Sequence, residues 1–259
     1  MKSTSSSPAR REQGKLDRMK ISVIVPAFNE EKLIVASLHS MQEAVGSFAR
    51  RGWETEIVVC DNNSSDATAA LARAGGARVV FESVNQIARA RNTGAAAAQG
   101  DWFVFVDADS HPTAELFADV AEQIESGRCL AGGCAVRFDG GHFLANRMVG
   151  LWNLLSRWTK WAAGAFIFCE AKAFRAVGGF NMELFASEEI DLSNRFKKLA
   201  RASGKKMVIL RRHPLVTSSR KVRLYSLGHI AGFLGKLILR PRQTLTNRDA
   251  CSYWYDGRR

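Results

Sequence analysis

The sequence has few of the features that mark secreted, membrane-spanning or thiolate-metal proteins. Its five cysteines, at 60, 129, 134, 169 and 251, form no Cys-x-x-Cys pair. An odd count without a framework argues against a disulfide scaffold and a thiolate metal site, and fits reduced thiols in a cytoplasmic protein. Cys129 and Cys134 read as buried strand residues rather than ligands. No window approaches the roughly 20 apolar residues of a membrane span. Residues 1–20 are polar and basic with no apolar core, unlike a secretory signal. Residues 1–18 read as a disordered extension, and Met19-Lys20-Ile21 as the start of the folded part. There is no internal repeat and no recognised nucleic-acid motif.

What the chain does have is positive charge and a march of apolar runs. Across 259 residues, 37 Lys and Arg against 25 Asp and Glu give a formal charge of +12. That balance suits nucleotides, phosphorylated lipids or an anionic membrane surface, or is simply a basic soluble surface; without a motif, nucleic acid is set aside. The length is enough for one large α/β domain.

Near-continuous apolar runs at 21–25, 57–60, 78–81 and 102–106 read as strands buried on both faces of a largely parallel sheet. Helical patterns at 31–50, 65–74 and 87–98 lie between them. This alternation predicts an α/β fold with a doubly wound, mostly parallel sheet flanked by helices. Beyond residue 110 the pattern changes. Helices are expected at 113–126, 143–161 and 188–201, and strands at 130–138 and 206–210, with an apolar run at 164–169 and a tight turn at Gly178-Gly179-Phe180.

Open parallel sheets bind ligands beyond the carboxyl ends of their strands. Three polar clusters fall there: Pro26-Ala27-Phe28-Asn29-Glu30, Asp61-Asn62-Asn63-Ser64-Ser65-Asp66, and Asp107-Ala108-Asp109. The last holds two carboxylates one residue apart, separated by a short Ala. Such a pair can hold magnesium or manganese against a phosphate. Asp61 and Asn62 suit a base edge or ribose hydroxyl, or else serve turn chemistry, as 64–66 does. Arg89 and Arg91, near a helix start, suit diphosphate oxygens, or one of them is a surface charge. Glu188-Glu189-Ile190-Asp191 crowds three acids into one helical turn behind Ser187, the expected N-cap. Glu188 and Asp191 share a face, Arg195 lies one turn beyond Asp191, and Glu189 is left free as a general base. His213, after the last expected strand, is either a further metal ligand or structural.

Two segments are basic and amphipathic. Residues 224–239 carry an apolar stripe crowded by Arg220, Lys221, Arg223, Lys236, Arg240 and Arg242, and residues 143–161 carry Arg147, Arg157 and Lys160. Each either packs on the domain or lies on an anionic membrane.

In order and spacing, these clusters resemble the family 2 glycosyltransferases of GT-A fold over about residues 20–200. The similar segments are Val-Ile-Val-Pro-Ala-Phe-Asn-Glu at 23–30, Cys-Asp-Asn-Asn-Ser-Ser-Asp-Ala-Thr at 60–68, Ala-Arg-Asn-Thr-Gly at 90–94, Gly-Asp-Trp at 100–102, Gly178-Gly179-Phe180, and Glu188-Glu189-Ile190-Asp191-Leu192. The resemblance implies a nucleotide-binding half at 19–110, an acceptor half at 111–215 and a basic helical C-terminal segment at 216–259. It implies Mn2+- or Mg2+-dependent transfer of one sugar, with inversion, from a nucleoside-diphosphate sugar to a hydroxyl acceptor. The acceptor could be lipid-linked or a cell-envelope glycan, met at the inner face of the membrane. Asp107, Ala108 and Asp109 would hold metal and donor, with Asp109 the more direct ligand. Asp61 would recognise the nucleobase, Pro26, Ala27 and Glu30 would line its pocket, and Glu189 would be the base, with Glu188 or Asp191 as alternatives. Asn62 stands where the family often has a second acid, so uridine and guanosine donors both stay open. The Gln-x-x-Arg-Trp signature of processive synthases is absent, which favours single additions. An inactive nucleotide-sugar-binding protein of this fold is the alternative. A nucleotidyltransferase is less suited, because residues 26–31 are acidic and lack Gly.

Overall fold

The apolar runs form strands because both faces of each strand have a layer to bury against. The computed structural model describes residues 19–140, 143–220, 241–251 and 255. Strands β1 (Lys20–Ala27), β2 (Glu54–Asp61), β3 (Arg78–Phe81) and β4 (Trp102–Val106) alternate with helices α1 (Ile34–Ala49), α2 (Thr68–Ala74) and α3 (Ile87–Ala97). There follow β5 (Ser110–His111), α4 (Ala114–Glu125), β6 (Cys129–Phe138), α5 (Phe143–Thr159), β7 (Phe166–Glu170), α6 (Ala171–Ala176), α7 (Glu188–Ala202), β8 (Lys206–Thr217) and α8 (Pro241–Leu245). One sheet holds all eight strands in the order β3-β2-β1-β4-β7-β6-β8-β5. The β3-β2-β1-β4 half is parallel; β7 enters antiparallel to β4 and β6, β8 runs parallel to β6, and β5 runs antiparallel to β8.

Successive strand residues point to opposite faces. Val23, Val25, Val104, Val106, Phe166 and Phe168 face one core, completed by Ile34, Leu38 and Phe48 of α1 and Leu116, Phe117 and Val120 of α4. Ile24, Phe103, Phe105, Ile167 and Cys169 face the other, with Ala88 and Ala95 of α3, Phe174 of α6 and Leu192 and Phe196 of α7. Gly94 lets α3 sit close to the sheet: a Cβ there would lie 2.6 Å from Cγ2 of Ile24. All five cysteines are buried free thiols, with Cys129 and Cys134 on β6.

Three features depart from the sequence reading. The two-residue β5 and the short α6 were not expected. Strand β8 runs to Thr217 rather than ending at 210. Its middle, Arg211-Arg212-His213-Pro214, reads as a loop, and Pro cannot donate to a ladder. The strand tolerates it through a register shift, Cys134 opposing Leu210 and Val136 opposing Leu215. The expected extension at 1–18 and the amphipathic stretch at 224–239 lie outside the described residues.

Candidate active site

The parallel half of the sheet sets the rim of the site. Register pairs Ala27 with Asp61 and Ile24 with Phe105, so the loops leaving β1, β2 and β4 emerge on one edge. There they border a cleft lined by Pro26, Ala27, Glu30, Asn62, Asp107 and Asp109, among others. Ala108 lines it too.

The Asp107-Ala108-Asp109 loop is fixed from both sides. Asp107 N–H donates to the Ala165 carbonyl (3.2 Å), and Ser218 N–H donates to the Asp109 carbonyl (3.1 Å). Strand β5, immediately after the loop, pairs Ser110 with Thr217 of β8. The extra length of β8 therefore brings Thr217 Oγ1 to 3.5 Å from Asp109 Oδ1. It also delivers Arg220, whose Nη2 donates to both carboxylate oxygens of Glu30 (2.9 and 2.8 Å) and lies 4.0 Å from Asp109 Oδ2.

The acidic turn stands against this loop. Arg91 of α3 is 1% exposed and joins them: Nη1 donates to Glu188 Oε1 (2.7 Å), and Nη2 to Asp107 Oδ1 (3.0 Å) and the Gly164 carbonyl (2.8 Å). Burial works against its charge, but the carboxylates of Asp107, Glu188 and Glu189 outweigh that and hold its pKa above the usual value. Its guanidinium also lies over the Phe180 ring, 5.1 Å from the centroid. Asn92, next in sequence, receives the Phe180 N–H (2.9 Å) and donates to the Phe180 carbonyl (2.9 Å). It thereby clamps the turn in which Gly179 takes φ +69, a conformation that favours glycine.

Within the acidic turn the three carboxylates have separate tasks. Glu188 is held by Arg91. Asp191 Oδ2 accepts from Nη2 (2.6 Å) and Nε (2.8 Å) of Arg195, which also ties down the Val177 and Gly179 carbonyls. Glu189 forms no ion pair among the described residues. Burial, reinforced by the charge of Glu188 and then of Asp107, pushes its pKa up to about 8, with Arg91 opposing. A carboxylate so raised, and still partly exposed, has the basicity of a proton acceptor near neutral pH.

Arg91 is buried with both Nη atoms engaged by carboxylates, and it does not line the cleft. Arg89 Nε donates to Gln86 Oε1 (3.1 Å), and the residue does not line the cleft. Asp61 is buried and its Oδ1 accepts the Ser64 N–H (3.2 Å), a turn contact; Asn62 instead lines the cleft, anchored by Nδ2 to the Val84 carbonyl (2.7 Å). His213 Nδ1 lies 3.2 Å from Asp119 Oδ2 on α4, and the structure does not gather it with Asp107 and Asp109. Ser187 occupies the N-cap position in a left-handed conformation, φ 62, with no side-chain cap bond. The sequence reading missed Phe28, Asn85, Ile87 and Tyr255 as lining residues. Asn85 and Ile87 flank the start of the helical run that carries Arg91, a usable signal; Tyr255 arrives from the C-terminal segment, where it donates from its hydroxyl to the Phe185 carbonyl (3.0 Å).

Asp107 and Asp109 suit a divalent cation arriving with phosphate. No third acidic, imidazole or thiol group gathers around them among the described residues. Phosphate and water oxygens would then complete the shell, the pattern that magnesium favours.

A family model described as glycosyl transferase family 2 matches residues 22–176. Over 120 residues, 44% of this chain and 33% of the relative, the sequence is 28% identical to the uncharacterized glycosyltransferase EpsJ of Bacillus subtilis (strain 168). It is 32% identical over 114 residues to the poly(ribitol-phosphate) beta-N-acetylglucosaminyltransferase TarS of Staphylococcus aureus (strain Mu50), covering 41% of this chain and 19% of TarS. The matched region thus spans a third or less of these curated relatives. Among solved structures, the mannosyltransferase PcManGT from Pyrobaculum calidifontis, in complex with GDP-Man and Mn2+, superposes with TM-score 0.62 at 19% identity, over 93% of this chain and 74% of that one. Glucosyl-3-phosphoglycerate synthase from Mycobacterium tuberculosis, in complex with Mn2+, UDP and glucosyl-3-phosphoglycerate, gives 0.58 at 20% identity, over 95% and 88%. These structural likenesses establish a shared fold, that of the GT-A glycosyltransferases. With its family match over residues 22–176 and this fold, the chain belongs to glycosyl transferase family 2.

Proposed function

We propose that the chain transfers a single sugar from a uridine or guanosine diphosphate sugar to a hydroxyl acceptor, with inversion, using Mn2+ or Mg2+. The observation that carries this reading is the juxtaposition made by Arg91: the donor-side Asp107 and the acceptor-side Glu188 on one guanidinium, with Glu189 uncommitted beside them.

In this reading Pro26, Ala27, Phe28 and Asn62 take the nucleoside, and Asp107 and Asp109 hold the cation. When bound, the cation neutralises charge on the departing diphosphate. Arg220, between Glu30 and Asp109, adds a fixed positive charge on that side. Glu189 takes the proton of the acceptor hydroxyl. The freed oxygen pair forms the new bond to the anomeric carbon on the face opposite the diphosphate. The old carbon–oxygen bond breaks, and its electron pair leaves on the diphosphate. Arg91 pairs with Glu188, and the charge of Glu188 in turn raises the basicity of Glu189.

The test is a panel of nucleotide sugars with Mn2+, scored by nucleoside diphosphate release and by thermal shift. A uridine or guanosine donor is expected to stabilise the chain and be turned over, and Asp109→Ala to remove both responses. An Asp109→Ala variant that responds like the parent would refute the metal and donor assignment.

A further inference from the structure

Helix α5 (Phe143–Thr159) has two apolar faces and, among the described residues, a packing partner for only one. Val149 and Trp152 pack on the core, Ser156 is buried, and Asn153 is locked to β6 through its bonds to the Val136 N–H (3.0 Å) and carbonyl (2.9 Å). On the opposite side, Leu151, Leu154, Leu155 and Trp158 recur at helical spacing and are 69%, 51%, 43% and 78% exposed. The other large exposed apolar residues among those described, Val35, Phe81, Val84 and Met182, belong to other elements. A contiguous exposed apolar patch marks an interaction surface.

The charge around the patch decides the partner. Helix α5 contains no Asp or Glu, Arg147 and Arg157 are exposed on it, and exposed Lys160 follows it. A second copy meeting this face about a two-fold axis would bring these cations together with their own copies. The basic stretch at 220–242 would also bring like charge to it. An apolar strip rimmed by cations, with an exposed Trp, instead fits the boundary between anionic headgroups and acyl chains. We propose that the Leu151–Leu154–Leu155–Trp158 face of α5 docks on an anionic lipid bilayer. This proposal stands independently of the transferase reading, but it bears on the acceptor. Just past α5, the Gly164 carbonyl accepts from Arg91, and a Cβ built at Gly164 would lie 3.7 Å from the Glu189 carboxyl carbon. The segment leaving the docked helix therefore passes beside the proposed acceptor base, which favours a lipid-linked hydroxyl acceptor.

The experiment sediments the full chain with vesicles of phosphatidylcholine alone or enriched in phosphatidylglycerol, at low and high salt. The parent is expected to pellet with the anionic vesicles at low salt. The double variant Leu154→Asp/Trp158→Asp is expected to bind about tenfold more weakly or worse, from the lost apolar burial, while keeping the parent's circular dichroism spectrum. Vesicles with brominated acyl chains are expected to quench the parent's fluorescence, and Trp158→Phe to lose part of that quenching. Full recovery of the parent in the supernatant would overturn the proposal. So would equal pelleting of the double variant, quenching unchanged by Trp158→Phe, or a parent dimer that these substitutions dissolve. Thermal response to Mn2+ with nucleotide sugar, measured on the same samples, reports separately on the transferase reading.

Discussion

Replacing Glu189 by Gln is expected to make the protein inactive and more stable together. The carboxylate of Glu189 is held at a pKa of about 8 against an ordinary 4.5, first by burial and then by the charge of Glu188. For a carboxyl group raised on folding, the folded state favours the proton. Its contribution is therefore most favourable below pH 4.5, is lost as pH climbs to about 8, and is constant above. At about 1.36 kcal/mol for each pH unit, the cost of ionising it is at most about 5 kcal/mol. Partial exposure and relaxation of the turn leave on the order of 2 kcal/mol. Gln keeps the shape and never ionises. In metal-free buffer the variant should melt with the parent near pH 4 and about 4–8 °C above it at pH 8.5, the scale for a chain of this size. Differential scanning calorimetry of both proteins across this range measures the difference, from which all other titrations cancel. Turnover should fall about 10²–10⁴-fold, the usual contribution of a general base. A melting difference independent of pH would refute the electrostatic reasoning, and turnover within about tenfold of the parent would refute the base assignment.

Three further outcomes follow from named contacts. Arg91→Ala strands the buried Glu188 and the Asp107 carboxylate, and should cost about 3–5 kcal/mol in urea unfolding; Arg91→Lys should recover part of that, since it restores the charge without the fork. Gly94→Ala drives a methyl to within 2.6 Å of Ile24 Cγ2 and should cost about 1–3 kcal/mol by the same measurement. His213→Ala loses only a half-exposed contact to Asp119, so the thermal shift with Mn2+ and donor should match the parent's; loss of that shift would return His213 to the metal site.

Most strands and helices were legible in the sequence because periodicity and burial coincide. Runs such as 102–106 are apolar throughout since each face of β4 meets its own core, and the Asp-Ala-Asp loop follows because ligands gather at strand ends. What could not be read was partnership across the chain. Arg91 and Arg89 are equivalent as letters, yet one is sealed between Glu188 and Asp107 while the other bonds Gln86. At Asp61 a turn and a nucleoside ask for the same carboxylate, and in the structure its Oδ1 accepts the Ser64 N–H. Pro214 concealed the extension of β8, and with it the approach of Thr217 and Arg220 to Asp109. Tyr255 comes to the cleft from far along the chain, a long-range closure that no local pattern encodes.

The central claim is that Asp107 and Asp109 bind a nucleoside diphosphate through a divalent cation. Calorimetric titration of UDP and GDP into the chain, with and without Mn2+, tests it most directly. The account predicts a single site for one of the two nucleotides that needs Mn2+ and vanishes in Asp109→Ala. Binding of equal strength without the metal, or undiminished in the variant, would contradict it.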